Sequence, residues 1–254
     1  MKAAGLTCIL FMFAASAAAQ APSTVRSVFD SPVATKLSTA DTVPISLIGA
    51  MPHIAAQGVW TTTFTLVNKS ANTATARLSM FGDSGSALTL PLVLPQVSSA
   101  SFPASSLDQQ VAGNASLVIN TAEAQSAPQQ VGSAQMGSDG NLDGFAIFHL
   151  IPGAQEAVVP LETRNAGSYL LAFDNTGGVV LGVAVQNISG QQATIPVIVR
   201  DDAGVVISPQ GTTLSLPPNG HTSFVLSQQY GFTANKRGTV EFDTPSGGQI
   251  GRAH

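Results

Sequence analysis

The sequence predicts an all-β protein: two tandem immunoglobulin-like β-sandwich modules behind an export signal, the second of them incomplete. Three observations carry that expectation. A strand-period pattern recurs at a fixed offset. Turn residues punctuate the chain every ~8 to 12 residues, the spacing of short antiparallel strands. The composition favours strands: charged residues make up only 9% of the 254, against roughly 25% in an average soluble protein. Ser, Thr, Gln, Asn and Gly stand in for the missing charge, while hydrophobic residues hold at 44%, enough for a packed core.

The repeat comes first because it organises the rest. Residues 60–85, WTTTFTLVNKSANTATARLSMFGDSG, align without a gap with residues 179–204, VVLGVAVQNISGQQATIPVIVRDDAG. Identities fall at Asn68/Asn187, Ser70/Ser189, Ala74/Ala193, Thr75/Thr194, Asp83/Asp202 and Gly85/Gly204. A strand sends alternate residues to one face. Trp60, Phe64 and Leu66 share a parity with Val179, Val183 and Val185, so both copies are expected to bury the same side. In the next strand Ala76, Leu78 and Met80 match Ile195, Val197 and Val199. Pro196 lacks a ladder N–H, which suggests an edge position or a bulge. The Asp-Gly segments that follow are hairpin chemistry, with Gly tolerating positive φ.

Beyond the gapless block the correspondence continues with insertions. Leu92 to Pro95 matches Leu214 to Pro217, Phe102 matches Phe224, and Leu117 to Thr121 matches Val240 to Thr244. On that alignment the segments Val131–Met136, Gly144–Leu150 and Glu156–Leu161 have no counterpart in the second copy. Gly247 to Ile250 leads toward a strand that does not follow before His254. A reading frame cut near Gly251 and a naturally shorter copy both account for this.

The N-terminus reads as a secretory signal: Met1-Lys2, an apolar run from Cys8 to Ala15, and a small-residue cleavage site at Ala17-Ala18-Ala19. The run is shorter than the ~20 residues of a membrane span. An uncleaved anchor is the alternative. Cys8, the single cysteine, leaves with the signal, so the mature chain can form no disulfide and no thiolate site. The expected divisions are 1–19 signal peptide, 20–43 flexible leader, 44–165 first module and 166–254 second module.

The stretches PHIAAQGVWTTTFTLVN, EAVVPLETRNAGSYLLAFDNTGG and NGHTSFVLSQQY resemble uncharacterised secreted β-sandwich repeat proteins of the acidobacterial type. The resemblance runs from about Pro52 onward. It implies export, sandwich modules and residence outside the cell, and it supplies no catalytic residues. Members of that group continue past the Gly-Gly-Gln-Ile segment with a further apolar strand, where this chain departs.

Candidate chemistry is sparse. Net charge is −4 and Lys236-Arg237 is the one adjacent basic pair, which argues against nucleic acid as a partner. Gly82-Asp83-Ser84-Gly85-Ser86 resembles a chymotrypsin-type nucleophile segment, but its repeat counterpart, Asp201-Asp202-Ala203-Gly204, has no serine. The shared Asp and Gly are what a hairpin needs, and His53 upstream sits in no supporting motif. No catalytic residue is therefore assigned. Asp139, Asn141 and Asp143 fit the first half of a Ca²⁺ loop, with Gly144 at the sharp turn, but the twelfth position is Leu150 rather than Glu. A polar hairpin loop explains the string as well. His53, His149, His221 and His254 show no metal-ligand spacing. Glu162 and Asp174 could meet as the facing carboxylates of a glycosidase, although Glu162-Thr163-Arg164-Asn165 more simply forms a polar network between modules. Trp60 shares the buried parity of Phe64; Phe81 is the better exposed aromatic, though Arg200 replaces it in the second copy. The Asn-x-Ser strings at Asn68, Asn114 and Asn187 read as turns.

The expected function is that of an exported, non-catalytic structural or adhesive protein, a spacer or interaction module at the cell surface. Polysaccharide or other cell-envelope proteins are the partners its composition suits. A carbohydrate-binding module is the alternative reading, and a secreted hydrolase a more distant one.

Overall fold

A computed structural model of the chain describes residues 44–122, 126–164, 166–244 and 250–253. The export signal, Cys8, the leader, Asn165 and His254 lie outside the described residues. The elements are β1 (Ser46–Ala56), β2 (Trp60–Asn68), β3 (Ala74–Gly82), β4 (Leu90–Leu94), β5 (Ser98–Ala104), β6 (Ser106–Val111), β7 (Ser116–Thr121), β8 (Gln130–Ser138), β9 (Leu142–Leu150) and β10 (Gln155–Pro160). There follow β11 (Ser168–Asp174), β12 (Gly182–Asn187), β13 (Ala193–Asp201), β14 (Thr213–Leu216), β15 (His221–Val225), the single-turn helix α1 (Leu226–Gln229), β16 (Arg237–Asp243) and β17 (Ile250–Ala253). The all-β class holds.

The strands form four antiparallel sheets. One, in the order β1-β8-β3-β6, faces a six-stranded sheet β10-β9-β2-β7-β4-β5. Between them lies a core built on Phe64, Leu66, Leu78, Met80, Leu92 and Met136. A second core, with Val183, Val185, Ile195, Val197, Val199 and Phe242, lies between the sheets β11-β16-β13-β14 and β15-β12-β17. The alternation in β2 and β3 does what the sequence pattern predicts: Phe64, Leu66, Ala76, Leu78 and Met80 are all buried, as are their counterparts Val183, Val185, Ile195, Val197 and Val199. Trp60 is buried too. Val179 is not: it precedes β12 and is 42% exposed.

The two halves correspond more closely than the sequence alignment implies, and differently. The orders β1-β8-β3-β6 and β11-β16-β13-β14 are one arrangement, and β9-β2-β7 repeats as β17-β12-β15. Register fixes the pairs. Leu78 stands opposite Met136, and Val197 opposite Phe242. Phe64 stands opposite Ile119, and Val183 opposite Phe224. Hence β16 is the counterpart of β8, not of β7 as the sequence alignment had it, and Phe224 corresponds to Ile119 rather than Phe102. The strand expected to be missing after Gln249 is β17, which pairs with β12 from Asn187 opposite Ile250 to Ala184 opposite Ala253. What the first half has in addition is the β4–β5 hairpin and β10. The error came from the short Leu-x-Leu-Pro strings, which match in letters while β4 and β14 occupy different sheets.

The strand order departs from the immunoglobulin order, in which the first strand pairs with the second and the sixth with the seventh. Here, leaving the β4–β5 hairpin out of the count, the first strand of each half pairs with the sixth, as β1 with β8 and β11 with β16, and the second with the seventh, as β2 with β9 and β12 with β17. Period-2 alternation decides which face of a strand is buried, not which neighbour it takes, so the pattern could not settle this. Pro196 lies neither on an edge strand nor at a bulge. It sits in β13 opposite Thr213, one residue before the ladder with β16 begins at Val197.

The repeated Asn is structural in both halves. Asn68 is buried, donates through Nδ2 to the carbonyls of Asn72 (2.8 Å) and Val111 (2.9 Å), and accepts from Ser70 N–H and Oγ. Asn187 repeats this with Gln191 (2.6 Å), Pro217 (2.8 Å) and Ser189. A buried amide costs stability unless all its polar atoms are paired, and here they are. Asn114 forms a turn at positive φ, as does Asn219 in the other half. The Asn-x-Ser strings are therefore turn chemistry in this structure.

The halves meet through sheet faces. The outer face of β12 and β15 carries Ala184, Gln186 and His221, all buried, with Ala184 joining the first core. The connecting segment pairs with the edge of β1: Ala50 and Glu162 exchange both backbone hydrogen bonds, at 3.1 and 2.8 Å. That covers a strand edge otherwise open to association.

Candidate functional site

The chemistry-bearing residues that the fold gathers lie at this junction. Asp83 belongs to the hairpin turn after β3, which juts from the first half. His221 opens β15 of the second half, just after the Asn219-Gly220 turn. The turn carbonyl of Asp83 accepts from His221 N–H at 3.2 Å, and Asp83 Oδ1 lies 2.8 Å from His221 Nδ1. On its other side, His221 Nε2 lies 3.3 Å from Nδ1 of His53. A β-bulge in β1 aims His53 there: Met51 is opposite Ala134 and Ile54 opposite Gly132, so Pro52 and His53 together face Ser133. The His53 ring stands edge-on to Phe148 at 4.9 Å, and Phe148 in turn packs on Trp60 at 5.7 Å.

The electrostatics follow from this placement. The His221 side chain has no solvent exposure, while Asp83 remains two-thirds exposed. Burial, followed by the neighbouring His221 and opposed by Asp83, pushes the His53 pKa down to about 3. His53 is therefore neutral at ordinary pH. Asp83 Oδ1 accepts from His221 Nδ1–H when that nitrogen carries the proton, and the direction of the His53–His221 hydrogen bond follows the tautomers of the two rings. Two buried polar side chains flank the pair. Gln186 is directly opposite His221 across β12 and β15. Its amide and the Ser133 hydroxyl are without hydrogen-bond partners among the described residues.

The other sequence candidates fall elsewhere. Asp139 gives both carboxylate oxygens to Thr75, at 2.6 Å to N–H and 2.8 Å to Oγ1. Asp143 pairs with Lys69 Nζ at 2.9 Å and accepts from Gly144 N–H, and the Lys69 contact holds its pKa below the usual carboxylate range. Asn141 offers its backbone carbonyl to Lys69 N–H. These contacts tie the β8–β9 hairpin to its neighbours, as a polar hairpin loop requires. No group of three or more His, Cys, Asp or Glu is placed to hold a metal among the described residues. Glu162 pairs with Arg164, whose carbonyl accepts from Tyr169 Oη at 2.8 Å, while Asp174 pairs with Arg237. Ser84 Oγ bonds Ser86 Oγ at 3.0 Å. Phe81 is partly buried.

No protein-family model, curated protein or solved structure matches the chain. Function rests on the residues themselves. No helix among the described residues is long and apolar enough to cross a membrane.

Sequence reading missed the junction because its three members come from distant segments, with His53 and His221 separated by 168 residues and Asp83 and His221 by 138. One signal was present: Asp83 is shared with the second copy, whereas His53 and His221 are not. Unshared polar residues in a repeat mark places where the copies have different surroundings.

Proposed function

We propose that this is an exported, non-catalytic structural or adhesive protein. Its two copies of one sandwich module, residues 44–165 and 166–254, form a stiff unit that presents sheet faces to polysaccharide or other envelope proteins outside the cell. The observation that carries this is the junction. Backbone pairing of Ala50 with Glu162, the Asp83–His221–His53 chain and the buried outer face of β12 hold the halves together at three separate points. A spacer needs that stiffness. An enzyme could also have it, but the polar residues here are spent on holding modules together.

A carbohydrate-binding role is favoured by one surface. On the outer face of the six-stranded sheet, Thr63 stands between Asn120 and Ile147, and Thr65 between Val118 and Phe145. All are partly accessible. A flat face mixing hydroxyl and amide groups with an aromatic ring suits the alternating polar and apolar faces of a sugar chain.

The mature chain should be co-sedimented with purified cell-envelope polysaccharide and probed on a glycan array, with released sugars and peptides assayed in parallel. Retention without product release supports the proposal. Retention lost on Phe145→Ala and Thr65→Ala selects the carbohydrate reading. Turnover that survives repurification overturns both.

A further inference from the structure

We propose that His53 and His221 form a binding site for a divalent transition-metal ion of the zinc type at the junction of the two sandwiches. The spacing is the first reason. Two imidazoles on one tetrahedral zinc, each bound at about 2.0–2.1 Å, hold their nitrogens about 3.3–3.4 Å apart. His53 Nδ1 and His221 Nε2 are 3.3 Å apart.

The second reason is the partner on the far side of the ring. Metal-binding imidazoles characteristically donate their other N–H to a carboxylate, which sets the tautomer and raises the basicity of the ligating nitrogen. Asp83 Oδ1 holds His221 Nδ1 at 2.8 Å and leaves Nε2 as the electron-pair donor. The edge-on contact with Phe148 sets the His53 ring.

The third reason is the polar surroundings. The amide of Gln186, across the strand pair from His221, and the hydroxyl of Ser133, across from the bulge that carries His53, are fully buried without partners among the described residues. Groups left so are rare in folded proteins. Their oxygens, or water held by them, are the groups available for the coordination positions that two nitrogens leave open. The ion would join β1 of the first half to β15 of the second.

The test is calorimetric titration of zinc chloride into the chelator-stripped mature chain, with the imidazole nitrogen signals followed by NMR. The expected result is saturable binding of one ion per chain, with shifts confined to His53 Nδ1 and His221 Nε2. His53→Gln should abolish binding. Asp83→Asn, which leaves both ligands and the turn's backbone bond to His221 in place and alters only a side chain that is two-thirds exposed, should weaken it roughly 10-fold to 100-fold while circular dichroism stays unchanged. The proposal is overturned by absence of binding to the folded wild-type chain. Zinc bound equally well by His53→Gln, or shifts at His149 instead, overturns it too.

Discussion

The turns 82–85 and 201–204 are the same device put to two uses. Both close a hairpin after a matching strand, and both end in a glycine at nearly the same φ, +79° for Gly85 and +81° for Gly204. Gly85 N–H donates to Gly82 at 2.9 Å and Gly204 N–H to Asp201 at 3.0 Å. Yet Gly204 has open space around it, while a Cβ on Gly85 would fall 1.8 Å from the Pro218 carbonyl oxygen. The first turn is pressed into the second half of the molecule; the second turn faces solvent. The local geometry is the same in both turns, and the junction places a further demand on the first only. Substitutions made in both copies can separate what a residue does for its turn from what it does for the junction.

The largest effect expected at the junction is on pH dependence. His53 has a folded-state pKa near 3 against about 6.5 in an unfolded chain. Between those values the unfolded state binds a proton that the folded state does not. Stability therefore rises with pH across that window and is lost as the pH falls from about 6.5 toward 3. The groups facing the ring are His221 and, beyond it, Asp83, whose charge acts in the opposite direction. Because His53 keeps some solvent access, the loss should be at most about 4 kcal/mol. Urea denaturation in the presence of chelator, from pH 7 to pH 4, should show a slope that His53→Gln reduces. Equal slopes in the two proteins would remove His53 from the account.

Asn68 and Asn187 come next, and here the copies should behave alike. Each alanine substitution removes a buried amide and strands two carbonyls and the Ser N–H and Oγ that it satisfies. A cost of about 3 to 4 kcal/mol is expected for each. A difference larger than about 1 kcal/mol between them would show that the cores, not the turns, set the cost.

These Asn residues also mark how far the molecule is legible from sequence. The gapless block around them covers β2, β3 and the turn between, and there alternation placed the core residues correctly. Past Gly85 the offset between the halves changes. It is 119 at Asn68/Asn187 but 105 at Ile119/Phe224, because the β4–β5 hairpin lengthens the first half. Letter matches continued at a wrong offset, since Leu-x-Leu and Val-x-Phe strings fit many strands. Strand pairing was illegible for a different reason: hydrogen-bonded neighbours are chosen by the whole sandwich, not by local pattern. The junction was illegible for both reasons, lying in the parts of the halves that differ.

Gly85 and Gly204 then divide the two roles. Alanine at Gly204 meets only the left-handed backbone penalty, about 1 kcal/mol. Alanine at Gly85 meets that penalty and the Pro218 carbonyl, so the turn must withdraw. The expected cost is about 3 kcal/mol, with the halves loosened from one another rather than unfolded. Limited proteolysis at the connecting segment near Arg164 should then accelerate in Gly85→Ala and not in Gly204→Ala. Equal protection would mean that the Asp83 turn contributes little to docking.

The smallest effect is the most specific. Asp83→Asn keeps the turn and its backbone bond to His221 but removes the carboxylate that faces the ring. With the aspartate side chain two-thirds exposed, a loss of about 1 kcal/mol is expected. Asp202→Asn, at a solvent-facing position, should stay within about 0.5 kcal/mol of the parent. The two substitutions change the same atom type in the same turn at matching places in the repeat. Any excess for Asp83 is therefore the coupling energy across the junction, and combining Asp83→Asn with His221→Gln should recover most of it as non-additivity. If the double variant is simply additive, Asp83 and His221 are neighbours without being partners.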